Sequence, residues 1–177
     1  PARTLLEIER LLDDQEGVIE LTVTPQKSQA LFKMKDIEVV SQLIQGTFPN
    51  YTQLIPSEHA TRAVVNLQQL QRTTRTASVF AKDGGGIIRA QLVPGQGGMP
   101  GRLIISSKAE EVGDNTGDIE AQIDGDEGKI AFNSRYLAEV FGVLDKDEVA
   151  IEISTSSSPG IIRSVGDDNY LHVIMPM

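Results

Sequence analysis

Leu5, Ile8, Leu11 and Leu12 recur at helical spacing near the start of the chain, with Arg3, Glu7 and Arg10 on other faces, which predicts a helix over 2–13. Gln15-Glu16-Gly17 breaks that pattern. Strand-like alternation follows, with Val18, Glu20 and Thr22 on one side and Ile19, Leu21 and Val23 on the other. Further strands are expected over 27–34 and 37–44, separated by short polar turns. Gly46 to Tyr51 must leave the sheet, because Pro49 has no N–H to give to a ladder.

The pattern restarts after Pro56. A strand over 61–65 runs to Asn66, a good N-cap for a helix over 67–82, which Gly84-Gly85-Gly86 stops. Strands are expected over 87–93, 103–107 and about 116–123, then over 129–132. Asn133 caps a second helix over 135–144, and strands near 149–153, 161–164 and 170–175 close the chain. From Thr61 the order is strand, helix, three strands, given twice: a duplicated unit of about sixty residues. The first fifty or so residues supply one such unit without its leading strand. The fold class is therefore α+β, with antiparallel sheets and the helices gathered on one side.

Composition narrows the function. Hydrophobic residues make up 40% of the 177, enough for a core, and the absence of cysteine removes disulfides, thiolate metal sites and thiol nucleophiles. That absence fits a reducing compartment. No apolar run is long enough to span a bilayer, and no secretory signal pattern opens the chain. The chain starts on Pro1 rather than Met and stops at Met177 directly after an apolar strand, so it is expected to be a fragment of a longer protein. A net charge of −9 argues against binding nucleic acid by bulk attraction; any such contact needs a local basic patch.

Four segments carry a specific resemblance. Leu43-Ile44-Gln45-Gly46-Thr47-Phe48-Pro49-Asn50-Tyr51 resembles the segment linking the second and third domains of bacterial beta sliding clamps, the beta subunits of DNA polymerase III. Ser106-Ser107 with Glu110-Glu111-Val112-Gly113 is similar to that family's acidic edge-strand motif. Phe132-Asn133-Ser134-Arg135-Tyr136-Leu137 resembles its helix start, and Val173-Ile174-Met175-Pro176-Met177 its C-terminal motif. All four stand in the family's order, and the resemblance covers the whole chain. It implies that 1–56 are the back half of the second clamp domain and 57–177 the third. It also implies the DNA-clamp fold, with helices on the inner wall of a ring and sheets outside.

Within the helix over 67–82, Leu67, Leu70, Ala77 and Ala81 share one face, while Arg72, Arg75 and Lys82 lie together on another with no acid between Asn66 and Lys82. An ordinary solvated face is the plain reading. The resemblance favours a DNA-facing one, with sequence-indifferent phosphate contact. It also implies that Ser78 and Val79, with Glu110 and Glu111, lie at the seam between ring subunits. Pro49, Leu54, Asn133, Tyr136, Val173, Ile174, Met175, Pro176 and Met177 correspond to the family's pocket for peptides of polymerases and clamp loaders. Core packing is the plain alternative for the apolar ones, although Met-Pro-Met suits an adaptable groove better than a core. Gln53 stands where many clamps carry Arg, and the family's basic residue after the final Met is absent.

The remaining candidates are weak. His59 and His172 lack partners at any catalytic or metal-ligand spacing. Asp124-Gly125-Asp126-Glu127-Gly128 lacks the last glutamate of a calcium loop and reads as a hairpin turn. Gly84–Gly86 and Gly95–Gly101 are turns rather than P-loops, since no Lys-Ser/Thr follows either. No metal or cofactor is expected.

The reading is a non-catalytic processivity factor of the bacterial cytoplasm, associated with the nucleoid. Its partners would be duplex DNA, held topologically, partner peptides, and a second clamp subunit. The alternative is a stand-alone peptide-binding module without DNA encirclement. A polymerase or nuclease site is rejected, because its metal ions need clustered carboxylates and these aspartates sit in turns.

Overall fold

The computed structural model describes residues 1–12, 17–82, 84–109, 113–167 and 169–177. The chain divides into two compact units, Pro1–Pro49 and Asn50–Met177. In the first, helix α1 (Ala2–Leu12) accompanies an antiparallel meander of β1 (Glu20–Val23), β2 (Gln29–Lys33) and β3 (Glu38–Gln42). Its buried set is small: Ile8, Ala30 and Met34. Thr4 and Ser41 tie helix to sheet through their hydroxyls at 2.9 Å. β2 starts later than the sequence pattern predicts, because Lys27 adopts φ 52° in a tight turn. There the Thr24 hydroxyl accepts the backbone N–H of Ser28 and of Gln29, each at 3.1 Å.

The second unit opens with the 3-10 turn Tyr51–Gln53. It continues as β4 (Thr61–Asn66), α2 (Leu67–Ala81), β5 (Ile87–Val93), β6 (Gly101–Ala109) and β7 (Gly113–Gly125). Then come β8 (Gly128–Asn133), α3 (Ser134–Phe141), β9 (Glu148–Ile153), β10 (Gly160–Ser164) and β11 (His172–Ile174). This is strand, helix, three strands, twice over, as the pattern predicts. The sheet order is β11-β10-β9-β4-β7-β6-β5-β8, antiparallel at every described pairing.

The halves are related in register as well as in order. β4 ends on Asn66 opposite Glu148, the first residue of β9; β8 ends on Asn133 opposite Ile87, the first residue of β5. One residue on, Leu67 N–H donates to the Asp147 carbonyl and Ser134 N–H to the Gly86 carbonyl, both at 2.8 Å. Each half thus places its helix by the same backbone contact.

β7 joins the halves by changing partners. Residues 113–121 pair with β6, and 122–125 pair with β4. In the second half the chain after β11 takes the matching place, where Met177 N–H reaches the Ala131 carbonyl of β8 at 3.0 Å. Asp124 to Gly128, expected to be a hairpin turn, is instead a corner between strands that do not pair: β7 ends against β4, while β8 pairs with β5. The corner is held by the Thr61 hydroxyl donating to the Asp126 carbonyl at 2.8 Å. It needs Gly125, which has φ +94° and no room for a Cβ beside the Ala60 carbonyl.

α2 packs on β5, β6 and β7 and against α3, which covers β8. The core between helices and sheet contains Leu67, Leu70, Ala77 and Ala81 from α2, and Leu137, Val140 and Phe141 from α3. These meet Ile88, Leu103, Ile105, Phe132, Ile151 and Ile162 from the strands. At about 25 cal/mol per Å² of apolar area, this burial dominates the unit's stability. Strand alternation sends the intervening residues, such as Arg89, Lys129 and Val173, to the face away from the helices.

Candidate nucleic-acid and peptide interfaces

α2 begins where the Asn66 side chain accepts the Gln69 N–H at 3.0 Å. Its apolar stripe is buried, and that fixes which residues face outward. Arg72, Arg75 and Lys82 are all exposed, and none has a carboxylate partner among the described residues. Several cations on other elements are matched: Arg102 with Asp118, Lys129 with Glu127, Arg135 with Glu139, and both Arg62 and Arg163 with Glu152. Beside α2, Gln71 Nε2 donates to the Phe141 carbonyl at 2.7 Å and so caps the end of α3. An unopposed row of positive charge on an acidic chain suits loose, sequence-independent contact with phosphates.

Val79 lies on the same exposed side of α2, 60% accessible, and Ser78 beside it turns its hydroxyl to the Thr74 carbonyl at 2.7 Å. Glu110 and Glu111 lie outside the described residues. Ser106 and Ser107 belong to β6, which has β5 on one side and β7 on the other, so their strand is interior. The free edge belongs to β7: over 113–121 its second side has no partner strand among the described residues. Ser107 is buried and bonds the Ala77 carbonyl at 2.8 Å, tying β6 to α2.

The residues of the peptide motif fall into distinct places. Leu54 and Val173 meet at a cavity of about 370 Å³, completed by Tyr51, Ile55, Asn169, Tyr170 and Leu171. Val173 sits there because it is opposite Ile161, itself opposite Glu152, in one row across the outer face. Met177 lines a second hollow of about 510 Å³ with Arg89, Gln91, Ser106, Lys129 and Ala131. Tyr136, Met175 and Met177 are exposed large side chains, each more than half accessible. Asn133 is engaged as the α3 N-cap, accepting the Arg135 N–H at 3.0 Å. Pro176 is half-buried. Ile174 is 2% accessible and packs in the core, so it supports the surface from beneath and cannot offer its side chain to a ligand. Pro49 ends the first unit.

The sequence pattern missed Asn169, Tyr170 and Leu171. Tyr170 is held at the cavity by a 3.0 Å hydrogen bond between its hydroxyl and His172 Nδ1. Its only sequence signal is an aromatic residue placed two positions before a strand histidine.

A duplicated β-α-β-β-β unit with paired helices on one face of an antiparallel sheet defines the DNA-clamp class of fold. The family model for the C-terminal domain of the DNA polymerase III beta subunit matches residues 52–177, and the chain belongs to that family. The beta sliding clamp of Bacillus subtilis is 28% identical over the whole of this chain, which spans 46% of that protein. A crystal structure of the Bacillus subtilis DNA polymerase sliding clamp superposes with a TM-score of 0.79, covering 100% of this chain and 45% of that one at 28% identity. The Bartonella birtlesii sliding clamp bound to griselimycin gives a TM-score of 0.81 at 25% identity, covering 100% and 46%.

Proposed function

We propose that this chain serves as the peptide-docking and DNA-facing part of a sliding clamp, a non-catalytic ring of two subunits that encircles duplex DNA. The ring would tether the replicative polymerase and other clamp-binding proteins at the bacterial nucleoid. The observation that carries the reading is the α2 face, where Arg72, Arg75 and Lys82 stand exposed without carboxylate partners among the described residues, on a chain of net charge −9. Tight phosphate binding would stop sliding; a few loosely held cations guide DNA without gripping it. On the outer face, the apolar cavity at Leu54 and Val173 and the exposed Tyr136, Met175 and Met177 offer anchoring positions for a short hydrophobic peptide. Ser78 and Val79, with Glu110 and Glu111, are proposed to meet the neighbouring subunit. Residues 1–56 would belong to the second clamp domain and 57–177 to the third.

The test is topological. A chimera in which this chain replaces the matching part of the Bacillus subtilis relative is loaded on nicked circular DNA by that organism's clamp loader. Retention on circles with release on linearisation is expected. A folded, dimeric chimera that stays on linear DNA, or never stays on circles, would contradict the proposal.

A further inference from the structure

The hollow beside Met177 differs in kind from the apolar cavity at Leu54. Arg89 lies on β5 between Ser106 of β6 and Ala131 of β8, and the Ala131 carbonyl is the group that receives the Met177 N–H. The guanidinium is therefore set beside the chain segment that the proposed function assigns to peptide binding. Arg89 is exposed and has no carboxylate partner among the described residues. Glu127, the acid that meets Gln91 two residues further along β5, is already engaged. Lys129 Nζ approaches it at 3.2 Å and Gln91 Nε2 donates to it at 2.7 Å. The Lys129 hydrogen bond, then that of Gln91, holds the Glu127 carboxyl below its ordinary range, so it stays a filled acceptor. Arg89 is left with its donors unused next to exposed methionine.

We propose that Arg89 forms a carboxylate-reading subsite beside Met177, which selects partner peptides bearing an acidic side chain next to an apolar residue that packs on Met177. This rests on the peptide-binding reading above and adds to it a chemical class of partner. A guanidinium presents a planar fork that fits one carboxylate in two parallel hydrogen bonds, and Met177 and Ala131 line the same hollow as an apolar wall. A polyanion is a poor occupant. The same outer face carries Glu120 on β7, whose neighbours Ile119 and Ala121 point inward to the core, and this acid, without a cation partner among the described residues, would repel a phosphate chain.

The probes are blocked hexapeptides, polar at the start and apolar at the fifth position, the sixth residue being Glu, Gln or Lys. Their affinities for the 177-residue chain and its Arg89→Ala and Arg89→Glu variants are measured at low and high salt. The Glu peptide should bind the unsubstituted chain about fivefold more tightly than the Gln peptide, a ratio that shrinks with salt. It should fall to one in Arg89→Ala, and Arg89→Glu should favour the Lys peptide. Equal affinity for Glu and Gln peptides on the unsubstituted chain, or a ratio unchanged in Arg89→Ala, overturns the subsite while leaving the peptide surface standing. Failure of every peptide to bind overturns the peptide surface and the subsite with it.

Discussion

Asn66 and Asn133 do the same work in the two halves of the larger unit. Each is the last residue of a strand, and each faces the first residue of a partner strand, Glu148 or Ile87. Each then turns its side-chain oxygen to the first turn of the helix that follows, Asn66 to Gln69 N–H and Asn133 to Arg135 N–H, both at 3.0 Å. The strand-to-helix step is thus built twice from one residue type.

Replacing either asparagine by alanine removes a cap and should destabilise the chain by about 1 kcal/mol, read as a lower urea midpoint with an unchanged slope. Asn66→Ala should cost the more, because the Asn66 Nδ2 also donates to the Asp147 carbonyl at 3.3 Å, a bond with no counterpart at Asn133 among the described residues. Equal stability of both variants and the unsubstituted chain would show that the caps are incidental.

The α2 cations should matter for DNA and not for folding. The triple replacement Arg72→Ala, Arg75→Ala, Lys82→Ala removes exposed side chains that have no ion partners among the described residues, so the change in stability should stay within about 0.5 kcal/mol. Contact with a short duplex should weaken at low salt, and the salt slope should drop by up to about three. Unchanged binding across a salt series would sink the assignment of this face.

Glu152 on β9 ties β4 and β10 together on the face away from the helices. Only 10% of its side chain is accessible, and it joins Arg163 at 2.9 Å and Arg62 at 3.4 Å. Glu152→Ala leaves two guanidiniums without their acceptor and should cost about 2 kcal/mol in chemical denaturation. Arg62→Ala and Arg163→Ala should each cost less, since each leaves Glu152 one partner. A loss in either arginine variant as large as that in Glu152→Ala would mean that the three do not act as one network.

Much of this architecture is readable in the chain because its signals are local. The period of α2, its cap at Asn66 and the glycines after it place the helix to within a residue at its end, and the order of elements reveals the duplication. The change of partner within β7 is not readable. Which strand receives residues 122–125 is settled by a contact with β4, distant in sequence, and no local pattern marks the bend. The corner at Asp124–Gly128 was misread for the same reason, since two strands around a glycine turn look like a hairpin until their partners are known. In the C-terminal motif, the resemblance groups Ile174 with Val173 and Met175, whereas strand alternation turns Ile174 into the core, a distinction that reading by motif passes over. The cavity wall formed by Tyr170 was not legible, because Leu54 and Val173 meet it only after folding.

One isotope-labelled sample of the 177-residue chain, titrated separately with a short DNA duplex and with a blocked clamp-binding peptide, tests the central claim most directly. The duplex should shift amides along Arg72, Arg75, Val79 and Lys82, with the effect fading as salt rises. The peptide should shift Leu54, Tyr136, Tyr170, Val173, Met175 and Met177, independently of salt for its apolar anchors. Two ligands mapping to two faces of one unit is the predicted result. Peptide shifts confined to α2, or none at Leu54 and Val173, would contradict it.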